Sequence, residues 1–253
     1  MTVVLWHIEI SHYNEKVRWA LDYKSIPHVR KVPVPGFHGF RALALTRGKQ
    51  RRLPVIDIDG RRIGDSTAII AALERYRPEP PLYPDDPTQR ARALELEDFF
   101  DEQLAPEIRR LVWHNTLDDT DAVVDAVFPN GSPRRERLLR TIAPLARASV
   151  RMDYSVNEES AARAREKIVA AMDRLERELQ PSGYLVGDRF GVADLTAASL
   201  FTPLLTAPER QYAPRTLAPP LLEFREELSA RPGGQWVREM FARHRGVSAE
   251  IAA

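Results

Sequence analysis

The chain has 253 residues, enough for one large or two ordinary domains, each able to bury its own core. Its 37 lysines and arginines against 36 aspartates and glutamates leave a formal net charge of +1, so charge gives no case for nucleic acid or an anionic membrane as the main partner. With 0 cysteines, disulfide frameworks, thiolate metal sites and a cysteine nucleophile are excluded, and any thiol chemistry must use the thiol of a ligand.

Residues 1–9 carry no basic region and too short an apolar run for a signal peptide, and no stretch approaches the roughly 18 apolar residues of a membrane span. A soluble, cytoplasmic protein is the expectation. Residues 3–8 are apolar almost throughout, as in a strand covered on both faces. Ser11 ends that strand and starts a helix, because Val17, Ala20, Leu21 and Lys24 recur at helical spacing, with Trp19 and Tyr23 widening the stripe. Ile26-Pro27 stops it. Residues 28–34 read as a second short strand, 36–40 as a loop of glycine and aromatics, and 41–46 as a short, weak helix.

The stretch from Leu53 to Ser66 is the most informative. Val55, Ile56 and Ile58 are β-branched, Asp59-Gly60 readily adopts the positive φ angles of a two-residue hairpin, and Ile63 resumes the strand. Pro54 suits a strand entrance, where its missing N–H falls outside the ladder and a cis bond can be recruited. Asp65-Ser66 then opens a helix over 66–77, in which Ile69, Ile70, Leu73 and Tyr76 are periodic. A carboxylate and a hydroxyl thus stand at a helix N-terminus, where free N–H groups and the dipole favour an anion. The order is βαβαββα. A crossover gives a parallel pair and the hairpin adds antiparallel strands, which predicts a mixed, four-stranded α/β sheet with helices on both faces.

Five prolines fall within residues 77–87, which cannot continue a helix and mark a linker. The domain reading is 1–78, a linker over 79–87, and an all-α part over 88–253. Residues 88–114 form a long amphipathic helix expected to bend at Pro106, 128–133 a break, 134–150 a helix, and 160–179 another long helix. The run 196–205, after Val192-Ala193-Asp194-Leu195, is too apolar for a surface helix and should be the buried centre of the second part.

Four pieces, in this order and spacing, resemble the soluble glutathione transferase superfamily over nearly the whole chain. Ser11-His12-Tyr13-Asn14-Glu15-Lys16-Val17-Arg18 is similar to the start of the first helix, where a serine or cysteine addresses the glutathione sulfur. Leu53-Pro54-Val55 resembles the cis-proline segment that pairs with the cysteinyl backbone, and Asp65-Ser66 the pair that binds the γ-glutamyl end. Residues 187–194 resemble the helix-capping motif of the C-terminal domain, with Gly191 replacing the usual serine or threonine, so Asp194 should reach back and Phe190 staple against Leu195. The resemblance implies a thioredoxin-like N-terminal domain, a helical C-terminal domain, glutathione as co-substrate and a homodimer. The family's Gly-Lys-Val-Pro is stretched here, so the cation for the glycine carboxylate could be Lys49, Arg51 or Arg52.

A free thiol has a pKa of about 8.5, so the site must favour the thiolate. A hydroxyl at a helix N-terminus can donate to the sulfur while N–H groups and the dipole add positive potential, each worth about 1 kcal/mol. Ser11 is the expected donor, with a plain N-cap as its structural reading; Tyr13 and then Asn14 are the other donors. Asp65 would pair with the ligand ammonium and Ser66 with its α-carboxylate, although each also fits a helix cap. A small, apolar electrophile would sit between the domains among His12, Phe37, His38, Trp113 and His114, with Trp113 also fitting a core position. No histidine pair has metal spacing, and there is no P-loop or dinucleotide glycine pattern. A scaffold that keeps the fold without catalysis, or a glutathione-dependent peroxidase or isomerase, are the alternatives.

Overall fold

The structure, a computed structural model, describes residues 3–34, 37–127, 133–213 and 216–252. Its first part alternates β1 (Val3–Trp6), α1 (His12–Tyr23), β2 (Val29–Lys31), α2 (His38–Thr46), β3 (Val55–Ile58), β4 (Arg61–Gly64) and α3 (Ser66–Tyr76). The sheet order is β2-β1-β3-β4, with β1 and β2 parallel and the other pairs antiparallel, the mixed sheet that the pattern predicts. Leu5 pairs with Arg30 on one side and Ile56 on the other, and both Leu5 and Ile56 are fully buried. Asp59 and Gly60 take φ angles of 51° and 88°, so the hairpin turn is the one the dipeptide favours. The Leu53–Pro54 peptide is cis.

Two local readings shift. The second strand is only three residues long, and α2 begins at His38 instead of residue 41, so part of the expected glycine and aromatic loop is helical. Gly39 is half-buried within the first turn, a case of helix geometry overriding a poor local propensity.

The linker prolines leave a row of carbonyls with few N–H neighbours, and Lys24 answers them. Its buried ammonium donates to the carbonyls of Arg77, Pro78 and Pro80 at 2.9, 3.2 and 2.8 Å and pairs with Glu74 at 2.6 Å.

The helical part comprises α4 (Pro87–Phe99), α5 (Ala105–Thr116), α6 (Thr120–Val127), α7 (Pro133–Asp153), α8 (Glu158–Glu178), α9 (Val192–Phe201), α10 (Pro219–Ala230) and α11 (Pro232–His244). Residues 128–132 of the expected break lie outside the described residues. Between α4 and α5 the irregularity comes at a π-helical turn, Phe100–Leu104, ahead of the bend expected at Pro106. There the Ala105 N–H reaches the Phe100 carbonyl, one residue further back than in an α-helix. The same register would give the Asp101 carbonyl the N–H of residue 106, and proline has none.

Helix α9 is buried along its whole length, as its composition predicts, and packs against α1 and α4. Asp194 reaches back to the Gly191 N–H at 2.9 Å and also accepts from Leu185 at 2.8 Å. Burial pushes its carboxyl up to about 7. Phe190 is stacked between Trp19 and His244, at 5.5 and 4.4 Å between ring centres, and so fastens this capping turn to α1 and α11. A second clamp is ionic: Arg245 meets Glu15 and Asp22 of α1 at 2.8 Å each, and Arg18 holds Glu15 at 2.7 Å, all four buried. Among the described residues no helix is long and apolar enough to cross a membrane.

Candidate functional site

Ser11 stands at the N-cap of α1 with extended backbone (φ −68°, ψ 126°), and its carbonyl accepts the Glu15 N–H at 2.9 Å. Its side chain makes no capping hydrogen bond. Ser11 is thus the N-cap by its backbone alone, and the residue lines the wall of a cleft of about 660 Å³.

The two neighbouring donors are otherwise engaged. Tyr13 gives its hydroxyl to the carbonyl of Asp101 at 2.7 Å, the carbonyl that Pro106 deprives of an N–H, and burial raises its phenol well above the ordinary range. Asn14 is buried and does not line the cleft; it accepts from the Ile8 N–H at 3.3 Å and donates to the Leu53 carbonyl at 3.4 Å. It thereby ties the start of α1 to the loop before Pro54.

Across the cleft, Leu53 and Pro54 face Ser11 together with Asp65 and Ser66. Asp65 has φ +73°, a conformation that costs a non-glycine residue on the order of 1–3 kcal/mol and clusters at ligand sites. Its carboxylate is exposed, caps α3 by accepting the Ala68 N–H at 3.0 Å, and stands over the buried Ser66. Val55 has its side chain in a small core with Ala42, Leu45 and Leu53, leaving only its backbone near the site.

Of the three cations before Pro54, Arg52 lines the cleft. Lys49 lies instead in a separate hollow with Arg47 and Arg62, and Arg51 borders neither. The cause is a loop folded around Thr46, whose hydroxyl donates to the Ala42 carbonyl at 2.8 Å and accepts the Gln50 N–H at 3.0 Å. Gln50 then rests on Gly64, where any Cβ would collide with its amide oxygen, and it too lines the cleft.

The cleft is electrically divided. Near Ser66, the buried Lys16 ammonium meets Asp101 at 2.6 Å and Glu97 at 2.9 Å, and Thr67 donates to Asp101 at 2.6 Å. One ammonium cannot neutralise two carboxylates, so burial pushes Glu97 up while Asp101 and Glu97 together outweigh burial and raise Lys16. At the other cluster, Arg52 and Arg109 lie 5.7 and 4.2 Å from the centre of the Tyr154 ring. His12 lines the cleft as a neutral imidazole, lowered by burial and by Arg109 and Arg210; its Nε2 is buried with no partner.

His38 and Trp113 also line the cleft, Trp113 as a half-buried wall and not as core. Phe37 is 59% exposed and off it, and His114 turns away to Glu158 at 3.4 Å. Gln50, Thr67, Asp101, Arg109 and Tyr154 line the cleft as well, and the sequence did not point to them; only Pro106 carried a signal, through the carbonyl it leaves without an N–H. Among the described residues no group of three or more acidic or histidine side chains could hold a metal ion.

Residues 5–81 match the glutathione S-transferase N-terminal domain and residues 158–227 the C-terminal domain of the same name. The chain is 27% identical over 225 residues to a probable maleylacetoacetate isomerase 1 of Drosophila melanogaster, covering 88% of this chain and 72% of that protein. It is 26% identical over 206 residues to the FtsZ-localized protein A of Caulobacter vibrioides, covering 77% and 74%. Among solved structures, a beta-etherase of Sphingobium has a TM-score of 0.61 at 21% identity, covering 94% of this chain and 99% of that one. A glutathione S-transferase of Methylobacterium radiotolerans, in complex with glutathione sulfonate, has a TM-score of 0.56 at 22% identity, covering 100% and 99%.

Proposed function

Because this chain belongs to the glutathione S-transferase family, we propose that it is a glutathione-dependent enzyme that holds glutathione along the hairpin wall and turns its thiol into a nucleophile at Ser11. The observation that carries this reading is the Ser11 hydroxyl, which sits at a helix N-terminus and on the cleft wall yet spends no hydrogen bond on capping. Donated to a thiolate, that O–H and the dipole behind it would lower the thiol's pKa by roughly a unit. The backbone around Leu53 and Val55 would pair with the cysteinyl peptide. Asp65 would meet the ammonium, with the Glu97 and Asp101 carboxylates beyond it; Ser66 and the α3 N-terminus would hold the α-carboxylate, and Arg52 the glycine carboxylate. A solved relative carries glutathione sulfonate, which supports the ligand. Relatives called isomerase and beta-etherase support the same thiol serving several reactions; transfer to an electrophile is the reading favoured here. The chain would act in the cytoplasm and as a homodimer through α3 and α4.

Ultraviolet difference spectroscopy of bound glutathione is the test. A thiolate band that titrates below the free thiol supports the reading, and no binding at millimolar glutathione rejects it. Likeness to FtsZ-localized protein A favours a second reading, a protein-binding scaffold, which would bind without converting a generic electrophile.

A further inference from the structure

The helical wall of the cleft holds a cation with nothing to pair with. Arg109 of α5 lies half-buried, its guanidinium 4.2 Å from the centre of the Tyr154 ring and 5.9 Å from that of Tyr13. Its Nε is buried with no hydrogen-bond partner, and among the described residues it makes no ion pair. The interior arginines elsewhere are treated differently. Arg18, Arg30 and Arg245 each meet carboxylates, Arg210 meets the carbonyls of Thr202 and Ile10, and the adjacent Arg110 pairs with Glu107.

A desolvated, unpaired cation is costly, and here the cost is compounded because Arg52 stands beside the same Tyr154 ring. Nothing in the packing needs a guanidinium there, since an apolar side chain would cover the ring without the charge. An anion arriving in the cleft relieves both terms at once.

Which anion follows from the helix. Pro106, Arg109, Val112 and Trp113 recur at helical spacing on the face of α5 that lines the cleft, so the cation sits within an apolar strip. Arg52 belongs to the opposite wall, on the loop before Pro54. We propose that Arg109, stacked on Tyr154, binds a carboxylate of the second substrate while Pro106, Val112 and Trp113 hold its apolar body. The electrophile is then an unsaturated or aromatic acid and not the neutral apolar compound that the sequence suggests. The assignment rests on the glutathione reading above, because the hairpin wall must be occupied by the first substrate.

Calorimetric titration separates the two. The probes are glutathione, S-(4-carboxy-2-nitrophenyl)glutathione and its uncharged counterpart S-(4-carbamoyl-2-nitrophenyl)glutathione, which differ only in the anion. The carboxylate conjugate should bind about tenfold or more tighter than the carboxamide. Arg109→Gln should abolish that preference while leaving the affinities for glutathione and for the carboxamide within about twofold, and Arg109→Lys should keep part of it. Equal binding of the two conjugates to the unaltered protein overturns the assignment whether or not any variant folds, as does a preference that survives in Arg109→Gln. Failure of glutathione itself to bind removes the underlying reading and this assignment with it.

Discussion

The Tyr13 hydroxyl donates to the Asp101 carbonyl at 2.7 Å, and this one bond joins the first turn of α1 to the π-helical turn between α4 and α5. It decides which hydroxyl is available for chemistry. A tyrosine committed to an otherwise unpaired carbonyl cannot also serve a sulfur anion, and the neighbouring Ser11 can.

Tyr13→Phe should therefore act on stability and not on the thiol. Leaving the Asp101 carbonyl without a donor should cost about 1–3 kcal/mol in urea unfolding. The pKa of bound glutathione should stay within about 0.3 of its original value, a difference worth less than about 0.5 kcal/mol. A large rise in that pKa would return Tyr13 to the role of donor.

Ser11→Ala has the opposite signature. Loss of the donated bond should raise the bound thiol's pKa by about one unit and lower kcat/KM about 10- to 100-fold, with glutathione KM little changed. Because the side chain makes no capping bond, stability should shift by less than about 0.5 kcal/mol, against about 1 for a true N-cap. Steady-state rates and thermal unfolding of the same preparation check both halves; an unaltered rate dismisses the role.

Asp65 combines a cap, a left-handed backbone and a charge, and Asp65→Asn isolates the charge. Asparagine tolerates the same φ and caps nearly as well, so stability should hold within about 0.5 kcal/mol. Glutathione affinity should fall about tenfold, through the lost ammonium pairing. Affinity unchanged by calorimetry would leave Asp65 a cap and nothing more.

The Lys16 ammonium pairs with two buried carboxylates, Glu97 of α4 and Asp101 of the π-helical turn, so Lys16→Met should cost about 3–5 kcal/mol by stranding them. Adding Glu97→Gln and Asp101→Asn should restore most of it, since the stranded charges, and not the absent ammonium, carry the penalty. Urea midpoints of the single and triple variants measure this. A triple variant no better than the single one would refute that account.

The pH dependence has a sign that can be followed group by group. Burial, with Arg18 and Arg30, lowers His7 to about 2, and His12, His28, His38 and His244 are lowered as well, in each case chiefly by burial. Below about pH 6.5 the unfolded chain takes protons that these imidazoles refuse, so stability falls on acidification, by about 1.4 kcal/mol per unit for His7 alone. Asp194, raised to about 7, opposes this: from pH 7 down to about 4 the native state holds a proton the unfolded chain lacks. Burial would raise Glu15, but Arg18 and Arg245 overcome it and hold it at about 2, so its contribution is lost below about pH 4.5. Stability should thus decline below pH 6.5 and more steeply below 4.5. Asp194→Asn should steepen the fall between pH 6.5 and 4 by about 1.4 kcal/mol per unit; the same slope in both proteins, by urea titration, would count against the assignment.

The parts whose causes are local were legible in the order of residues. The β-branched run of Val55, Ile56 and Ile58, the Asp59-Gly60 turn, the caps at Asp65 and Asp194 and the apolar run of α9 are each read from neighbours a few residues away, and the mixed character of the sheet follows from the crossover and the hairpin, whereas the pairing of β1 with β3 is not local. Ser11 and Asp65 were legible as helix-terminal residues because helix starts carry local signals. What those residues face comes from packing. Arg52 and not Lys49 reaches the cleft because Thr46 and Gly64 fold the intervening loop, and Arg109 and Tyr154 meet because the turn after α7 returns to α5, where Arg110 donates to the Tyr154 carbonyl at 3.1 Å. No periodicity reports such meetings: an arginine on an amphipathic helix looks the same in sequence whether its partner is solvent, a carboxylate or a ligand, and only packing separates the three.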